Sequence, residues 1–322
     1  MYIGIVIINY KTPELTIAGL QALFESEISY DFHVAIVENF SNDGSFEKIE
    51  IAIRENNWQN KVTMINSSFN GGFAYGCNLG IRFHQQRQST DFFWMLNPDA
   101  AVRPQALEEL IEVFKTNSKL GIAGSRLENK DGSKRNASFT FHSWKTEFLR
   151  GFGLAIFDRL MSANIQKIVS SEEDIHPSQT DWISGASMMI RKEVVDDIGY
   201  FDEKYFLYFE EMDYCLKAKK AGWQRWHVPK SRVMHFAGSS SGVNAVNQLE
   251  KRRPTYWFDS RRRFFIKNYG KFHAAVADLS WLIGFATWRL RNLIQQKKHK
   301  YPPHFLLDSM KNSVFFKGFK ID

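Results

Sequence analysis

The chain has 322 residues, 44% of them hydrophobic and 24% charged, with a formal net charge of +7. That length accommodates one large α/β domain with an appendage, or two domains, and the apolar share excludes wholesale disorder. Two cysteines, Cys77 and Cys215, exclude a disulfide framework and read as buried thiols, and no apolar run of about 18 residues offers a membrane span.

Residues 1–9 (MYIGIVIIN) lack the basic start and small-residue cleavage site of a secretory signal. Ile3–Ile8 is instead a β-branched apolar run, as in parallel strands buried on both faces. Thr12-Pro13-Glu14 opens a helix, with Thr12 at the cap and Pro13 at the first helical position. Val34–Val37 is a second strand, ending at Glu38-Asn39 and a turn over Ser41–Ser45. Val62–Ile65 is a third, running into Asn70-Gly71-Gly72-Phe73-Ala74 and a helix near Tyr75–Arg82. Phe92–Leu96 is a fourth, stopped by Asn97-Pro98-Asp99. A helix follows from Pro104, with Leu107, Leu110, Ile111 and Phe114 on one face. Strands alternating with helices over short links predict a doubly wound α/β sheet, whose ligand lies outside the carboxyl ends of the strands. Asn9, Glu38-Asn39 and Asn97-Pro98-Asp99 occupy those ends.

Residues 126–180 are polar with weak periodicity. Order returns with a strand over Ala186–Ile190, a helix from Lys192, an aromatic cluster Tyr205–Phe209 and a helix from Glu210 that stops at Gly222. The charge is uneven. Residues 251–300 carry 13 Lys/Arg against two acids, whereas residues 1–250 are slightly acidic. From Phe272 to Ile294 apolar residues follow one helical face, widened by Trp281, Phe285 and Trp288 and followed by Arg289, Arg291 and Lys297-Lys298. This fits a helix at an anionic membrane surface, or one packed on the body or on a second copy in a homodimer. Aromatics on a helical face, with no stacking platform or RNA-binding signature, exclude nucleic acid as the partner.

Four places could carry chemistry. Asp99, after a buried strand, suits a hard cation. Glu210, Glu211 and Asp213 follow a buried aromatic run, where a carboxylate can act as general base; the same acids also suit a helix N-terminus. His235, between the strand-like Arg232–Met234 and the Gly/Ser-rich 238–242 stretch, could ligate a metal. Asn70–Ala74 lets backbone approach a phosphate or base, although it is neither a G-x-G-x-x-G fingerprint nor a Walker motif.

In combination these segments resemble glycosyltransferase family 2, of GT-A fold, and within it the bacterial rhamnosyltransferase-like branch. The resemblance runs through IVIINYKTPEL (5–15), VENFSNDGS (37–45), NGGFAYGCNLG (70–80), LNPDA (96–100), WISGASMMIR (182–191), GYFDEKYFLYFEEMDYCLKAKKAG (199–222) and HFAGSSSG (235–242). Arg253–Tyr256 and Ser260–Arg263 extend it, so it covers most of residues 1–270.

The resemblance implies a GT-A catalytic domain over 1–245, with a nucleotide-sugar half at 1–125 and an acceptor half at 126–245, and a helical basic and aromatic extension over 246–322. It implies that Asn9, Tyr10, Glu38, Asn39, the loop Asn70, Gly71, Gly72 and Phe73, Asn78, Asn97 and Asp99 serve the donor. Asp99 and His235 would hold Mg²⁺ or Mn²⁺, Glu211 would be the base with Glu210 and Asp213 beside it, and Trp182, Ser184, Gly185 and Ala186 would line the acceptor side. Three positions depart from the family pattern: Asn97 replaces the first acid of D-x-D, and Glu38 and Glu211 each replace an Asp. The implied activity is inverting transfer of a sugar, rhamnose from dTDP-rhamnose first and a UDP-hexose or UDP-galactofuranose second, to a saccharide or lipid-linked acceptor for surface polysaccharide synthesis. The implied place is the cytoplasm, peripheral at the inner face of a bacterial membrane. A nucleotide-sugar-binding scaffold with a degraded site is the reading from another class.

Overall fold

The computed structural model describes residues 1–87, 89–152, 175–236, 252–295 and 302–321, so the 238–242 stretch and Lys297-Lys298 lie outside the described residues. The first half alternates as expected: β1 (Tyr2–Asn9), α1 (Pro13–Glu25), β2 (Asp31–Glu38), α2 (Ser45–Glu55), β3 (Val62–Asn66), α3 (Gly72–Arg87), β4 (Phe92–Leu96), β5 (Ala100–Val102) and α4 (Ala106–Thr116). β6 (Leu120–Glu128), β7 (Lys134–Arg135), β8 (Ser138–Phe139), α5 (Trp144–Phe152), β9 (Ser178–Gln179) and β10 (Trp182–Ile183) follow. β11 (Ser187–Arg191), α6 (Lys192–Ile198), α7 (Glu210–Lys220) and β12 (Gln224–His235) complete the body. A long helix α8 (Thr255–Ile294), bent at Gly270, then leads to α9 (Phe305–Lys311) and α10 (Val314–Lys317).

The main sheet runs β3-β2-β1-β4-β11-β6-β12-β5, with β7 on β6 and β9 on β12, and β8 and β10 form a separate ladder. β3, β2, β1 and β4 are parallel, and β11 enters antiparallel between β4 and β6. The period of two along β1 splits its side chains between two cores. Ile3, Ile5 and Ile7 point at α1, α2 and α4, among Leu20, Ile49, Leu110 and Phe114. Val6 and Ile8 point the other way, at α3, α6 and α7, among Cys77, Ile81, Val194 and Tyr214. Both faces are therefore covered, which explains why β1 reads as a continuous apolar run.

Helix starts differ from expectation in places: the helix expected near Tyr75 begins at Gly72 and the one expected from Pro104 begins at Ala106. α1 begins at Pro13, but the Thr12 side chain makes no cap bond; its Oγ1 donates to Asn9 Oδ1 at 3.2 Å.

The extension is built on a close helix crossing. Backbones of α5 and α8 meet at Gly151 and Gly284, where a Cβ on Gly284 would sit 2.6 Å from the Phe148 carbonyl. Beside the crossing, the buried Arg261 guanidinium bonds Glu147 Oε2 at 2.5 and 2.8 Å and also pairs with Asp278. Asp278 Oδ2 accepts the Val314 N–H at 2.7 Å, so one ion cluster ties α5, both halves of α8 and α10 together. Burial works to raise the Glu147 carboxyl, but the Arg261 charge, helped by His142, overrides it and holds it well below the usual carboxylate range.

The apolar face expected over Phe272–Ile294 divides. Trp281, Phe285 and Trp288 are buried with Phe258 and Phe305. Phe272, Leu279, Ile283, Leu290, Leu293 and Ile294 stay exposed, reaching 77% at Phe272 and 76% at Ile294. Among the described residues no helix is long and apolar enough to cross a membrane.

Candidate active site

The sheet delivers polar residues to one edge. The carboxyl ends of β1, β2 and β4 carry Asn9, Glu38-Asn39 and Asn97-Pro98-Asp99, and Asn97 N–H donates to the Ala186 carbonyl at 3.2 Å, at the entrance to β11. Over that edge lies a cavity of about 560 Å³. It is lined by Tyr10, Asn39, Asn70, Gly72, Phe73, Asn97 and Asp99 on one side of the sequence pattern. Trp182, Ser184, Gly185, Ala186, Glu210, Glu211 and His235 line it from the other.

The Asn70–Phe73 loop is locked from below. Asn39 Nδ2 donates to Asn70 Oδ1 at 3.0 Å and to the Gly72 carbonyl at 3.1 Å, and Asn39 Oδ1 accepts the Gly71 N–H at 3.3 Å. Gly72 has φ +81°, and a Cβ there would collide with the Phe206 carbonyl, which accepts the Phe73 N–H at 2.9 Å. Only glycine fits this position.

Asp99 is 2% exposed, and both its carboxylate oxygens are buried without a hydrogen bond. His235 Nε2 stands 3.1 Å from Asp99 Oδ1 and 3.1 Å from Asn97 Nδ2. An unsatisfied buried carboxylate is costly. Open oxygens beside an imidazole are the donor set that a hard divalent cation takes, so these residues fit Mg²⁺ or Mn²⁺. Among the described residues no group of three or more His, Cys, Asp or Glu is placed to hold a metal ion, so a cation here needs oxygens from a bound ligand as well.

The acids at the start of α7 are aimed by strain. Tyr208 (φ 70°) and Phe209 (φ 72°) are consecutive non-glycine residues in the left-handed region. The turn buries Tyr205 and Phe209, leaves Phe206 facing the cavity, and turns Glu210 and Glu211 into it. One oxygen of each glutamate is buried without a partner. Burial first, then repulsion from Glu211, pushes the Glu210 carboxyl well above its usual range. Burial also raises Glu211, opposed by its own N–H and that of Gly185, which donate to it. Two neighbouring carboxyls in a dry site thus retain a proton where exposed glutamates would have lost both.

Trp182 supplies an aromatic wall. It stacks on Phe139 at 4.4 Å, and its Nε1–H donates to the Thr140 carbonyl at 2.9 Å.

Five expected site residues stand outside the cavity lining, each for a visible reason. Asn9 and Glu38 bond each other, Asn9 Oδ1 accepts from Thr16 at 2.9 Å, and the Ser41 N–H donates to Glu38 at 2.8 Å, so both are spent holding loops. Gly71 contributes its N–H to Asn39. Asn78 donates to the Phe201 carbonyl at 3.0 Å and to Glu203 at 2.8 Å, tying α3 to the loop before α7. Asp213 accepts from Tyr205 Oη at 3.1 Å, Lys267 Nζ at 2.6 Å and Asn268 Nδ2 at 2.6 Å, which makes it a strut to α8. Conversely Ile8, Pro98, Phe139, Phe206, Leu207, Tyr208 and Tyr256 line the cavity without having been singled out as site residues. The Tyr205–Phe209 cluster signalled three of them, and the Arg253–Tyr256 motif text included Tyr256 without giving it a role; nothing local signals Phe139, which comes from β8.

Residues 2–255 match the family described as Glycosyltransferase like family 2. The chain is similar to the low-salt glycan biosynthesis hexosyltransferase Agl10 of Haloferax volcanii, 26% identical over 301 residues that cover 93% of this chain and 87% of that protein. It is also similar to the N-acetylglucosaminyl-diphospho-decaprenol L-rhamnosyltransferase of Mycobacterium tuberculosis, 27% identical over 171 residues, 52% of this chain and 54% of that one. Among solved structures it is similar to GalNAc-T7 with UDP, GalNAc and Mn²⁺, with a TM-score of 0.60 at 13% identity over 99% of this chain and 55% of that chain. At that identity the likeness speaks for the fold, which is GT-A. With the family match spanning the whole sheet and every wall of the cavity but the extension's own, this chain belongs to glycosyltransferase family 2.

Proposed function

We propose that the chain transfers a sugar from a nucleotide-sugar donor to a saccharide acceptor with inversion, and that the donor is dTDP-rhamnose. The observation that carries the reaction is the joint presence, in one cavity, of a buried carboxylate with an open oxygen at Glu211 and of the unsatisfied Asp99 beside His235.

Tyr10, Asn39 and the Asn70–Phe73 loop would hold the nucleoside. A divalent cation on Asp99 and His235 would neutralise the charge that develops on the departing diphosphate. Glu211 would take the proton of the acceptor hydroxyl as it attacks the anomeric carbon from the face opposite the diphosphate. Glu210, the more strongly raised of the pair, would keep its proton and spare Glu211 a second neighbouring charge. A single displacement inverts the anomeric centre, as in inverting glycosidases with a sugar hydroxyl in place of water. Trp182 and Phe139 would stack on the acceptor sugar.

The rhamnose assignment is supported by the name of the Mycobacterium tuberculosis relative and by the sequence motifs. The Haloferax volcanii relative is named only as a hexosyltransferase, a name that fits this reading and the second one, a UDP-hexose donor, alike. Calorimetric titration with dTDP-rhamnose, UDP-galactose, UDP-glucose and GDP-mannose, with and without Mn²⁺, separates them. Metal-dependent binding of dTDP-rhamnose alone is the expected result; preference for a UDP-sugar transfers the assignment to the second reading, and binding of none points to a degraded site. The product's anomeric configuration, read by NMR, tests inversion.

We further propose that the acceptor is lipid-linked and that the exposed face of α8 lies on the inner surface of a bacterial cytoplasmic membrane. Phe272, Ile283 and Leu290 stand exposed on a helix that also carries Lys271, Arg289 and Arg291, the pattern of an interfacial helix on anionic lipid. Flotation with phosphatidylglycerol vesicles should succeed for the native chain and fail for the Ile283→Glu, Leu290→Glu variant.

A further inference from the structure

Beyond the walls of the catalytic cavity formed by Phe206 and Tyr256 lies a second cavity, of about 380 Å³, which those same two rings also line. Its lining includes four cations, Lys204, Arg262, Arg263 and Lys320, and one acid, Asp259. Not all of that charge is committed. Arg263 is spent on Asp202, at 2.7 Å. Arg262 pairs with Asp259 at 3.0 Å, but its Nε is buried without a hydrogen-bond partner. Lys204 and Lys320 are exposed and have no carboxylate partner among the described residues. Next to Lys320 the surface turns apolar: Phe315, Phe316 and Phe319 are all exposed.

We propose that this cavity is the subsite for the diphosphate of the acceptor, a sugar carried on a diphospho-lipid. The proposal rests on the transferase reading and names the substrate class of that site. Three features fix the chemistry. The cavity shares the Phe206 and Tyr256 wall with the cavity that holds Glu211, so a group attached to the acceptor sugar has a neighbouring place to sit. Its spare cations suit a multiply charged oxyanion, and Asp99 with His235 already serve the donor's diphosphate elsewhere. The exposed phenylalanines beside Lys320 provide apolar ground for a lipid chain, which a nucleotide or a free anion does not need.

The test uses the full chain with the donor site filled by saturating dTDP and Mg²⁺, followed by titration with n-decyl diphosphate, inorganic diphosphate and n-decyl glucoside. Each exposed lysine–phosphate contact is worth up to about fivefold in affinity and reversing the charge adds repulsion, so Lys204→Glu with Lys320→Glu should weaken n-decyl diphosphate at least about tenfold. Lys61→Glu with Lys130→Glu, equal in charge change and lining neither cavity, should stay within about threefold of the native chain. Four results overturn the subsite: no binding of n-decyl diphosphate, equal affinity in the two double variants, equal affinity for the uncharged glucoside, or equal affinity for inorganic diphosphate, which would mark a free-anion site. Failure of dTDP, UDP and GDP alike to bind in the first step, with n-decyl diphosphate binding as expected, would instead refute the transferase reading and leave the anionic subsite standing, whereas failure of dTDP alone would change only the donor assignment.

Discussion

Glutamine at position 211 would remove the proposed base and change little else, so Glu211→Gln is the sharpest test of the chemistry. The side chain keeps its size, and the amide retains an oxygen to accept the Gly185 N–H that now donates to the carboxylate. General-base catalysis contributes roughly 10²–10⁴ in rate, or about 3–5 kcal/mol of transition-state stabilisation. Turnover should fall by that factor with donor affinity unchanged. Glu210→Gln should behave differently. Burial and then the neighbouring Glu211 push the Glu210 carboxyl up; it is the proposed carrier of the pair's proton, and glutamine mimics a protonated glutamate. That variant should keep activity within about tenfold, since a neutral amide leaves the field at Glu211 nearly as it was.

The pH dependence follows with its sign. Because burial raises Glu211, the acid limb of the rate profile should lie above the 4.5 of an ordinary glutamate, and Glu211→Gln should abolish that limb. A carboxyl raised in the folded state adds stability that is full below 4.5 and lost as pH rises through the folded value. Glu210→Gln should therefore raise the melting temperature at neutral pH relative to its effect at pH 4. The assay is the initial rate of nucleoside diphosphate release, with calorimetry for donor binding. If Glu210→Gln lost more than a hundredfold and Glu211→Gln did not, the roles would be reversed; if neither fell, the base would lie elsewhere.

Asp99→Asn keeps the shape of the site and removes its charge, so Mn²⁺-dependent donor binding should weaken at least about tenfold while metal-free binding stays put; equal metal dependence in both proteins would deny Asp99 its role. Arg261→Ala leaves Asp278 buried without a counter-charge and Glu147 with only His142, and should cost about 3–5 kcal/mol in urea unfolding; a loss under about 1 kcal/mol would show the cluster to be dispensable. His84, whose pKa burial draws down to about 4, stabilises the fold fully above about 6.5, and that contribution is lost as pH falls towards 4. The stability gap between the native chain and His84→Gln should shrink over that window by up to about 3 kcal/mol, and a gap independent of pH would refute the assignment.

The sequence was most legible where a single period dominates. β1, β2 and β4 are buried on both faces and read as unbroken apolar runs, and α4 shows its apolar stripe at Leu107, Leu110, Ile111 and Phe114. Segment 126–180 gave no period because its elements, as far as they are described, are two-residue strands and the short α5, too brief for alternation to build up. β12 was visible only at its end, since Pro229 interrupts its apolar pattern beside a register shift between Val228 and Arg232. Among the candidate residues, the motif text named backbone-level supports and cavity walls alike. Asn9 and Glu38 sit one layer under the cavity because a buried amide and carboxylate at adjacent strand ends satisfy each other. Tyr256 stood in the motif text at 253–256, but its place in the cavity was not legible. It reaches the cavity only through the tertiary fold-back of α8, which no local pattern encodes.

That fold-back also shapes what the extension can do. Lys267 bonds both Asp202 and Asp213, and Asn268 bonds Asp213 again, so the first half of α8 is fastened to the helix that begins with Glu210 and Glu211. Ser260 Oγ donates to the Leu207 carbonyl at 3.1 Å, within the strained turn that aims those acids. The exposed apolar face belongs to the second half, beyond the bend at Gly270, where φ is +84°. Arg261 and Asp278 bridge that bend through their ion pair. The path from the exposed face to the turn before Glu210 is thus one helix, one bend and one buried cluster, with no long linker between them. A membrane contact on that face would set the height and tilt of the cavity above the lipid. For an acceptor whose reactive hydroxyl is held at a fixed distance from the bilayer by its diphosphate, that height determines whether the hydroxyl reaches Glu211.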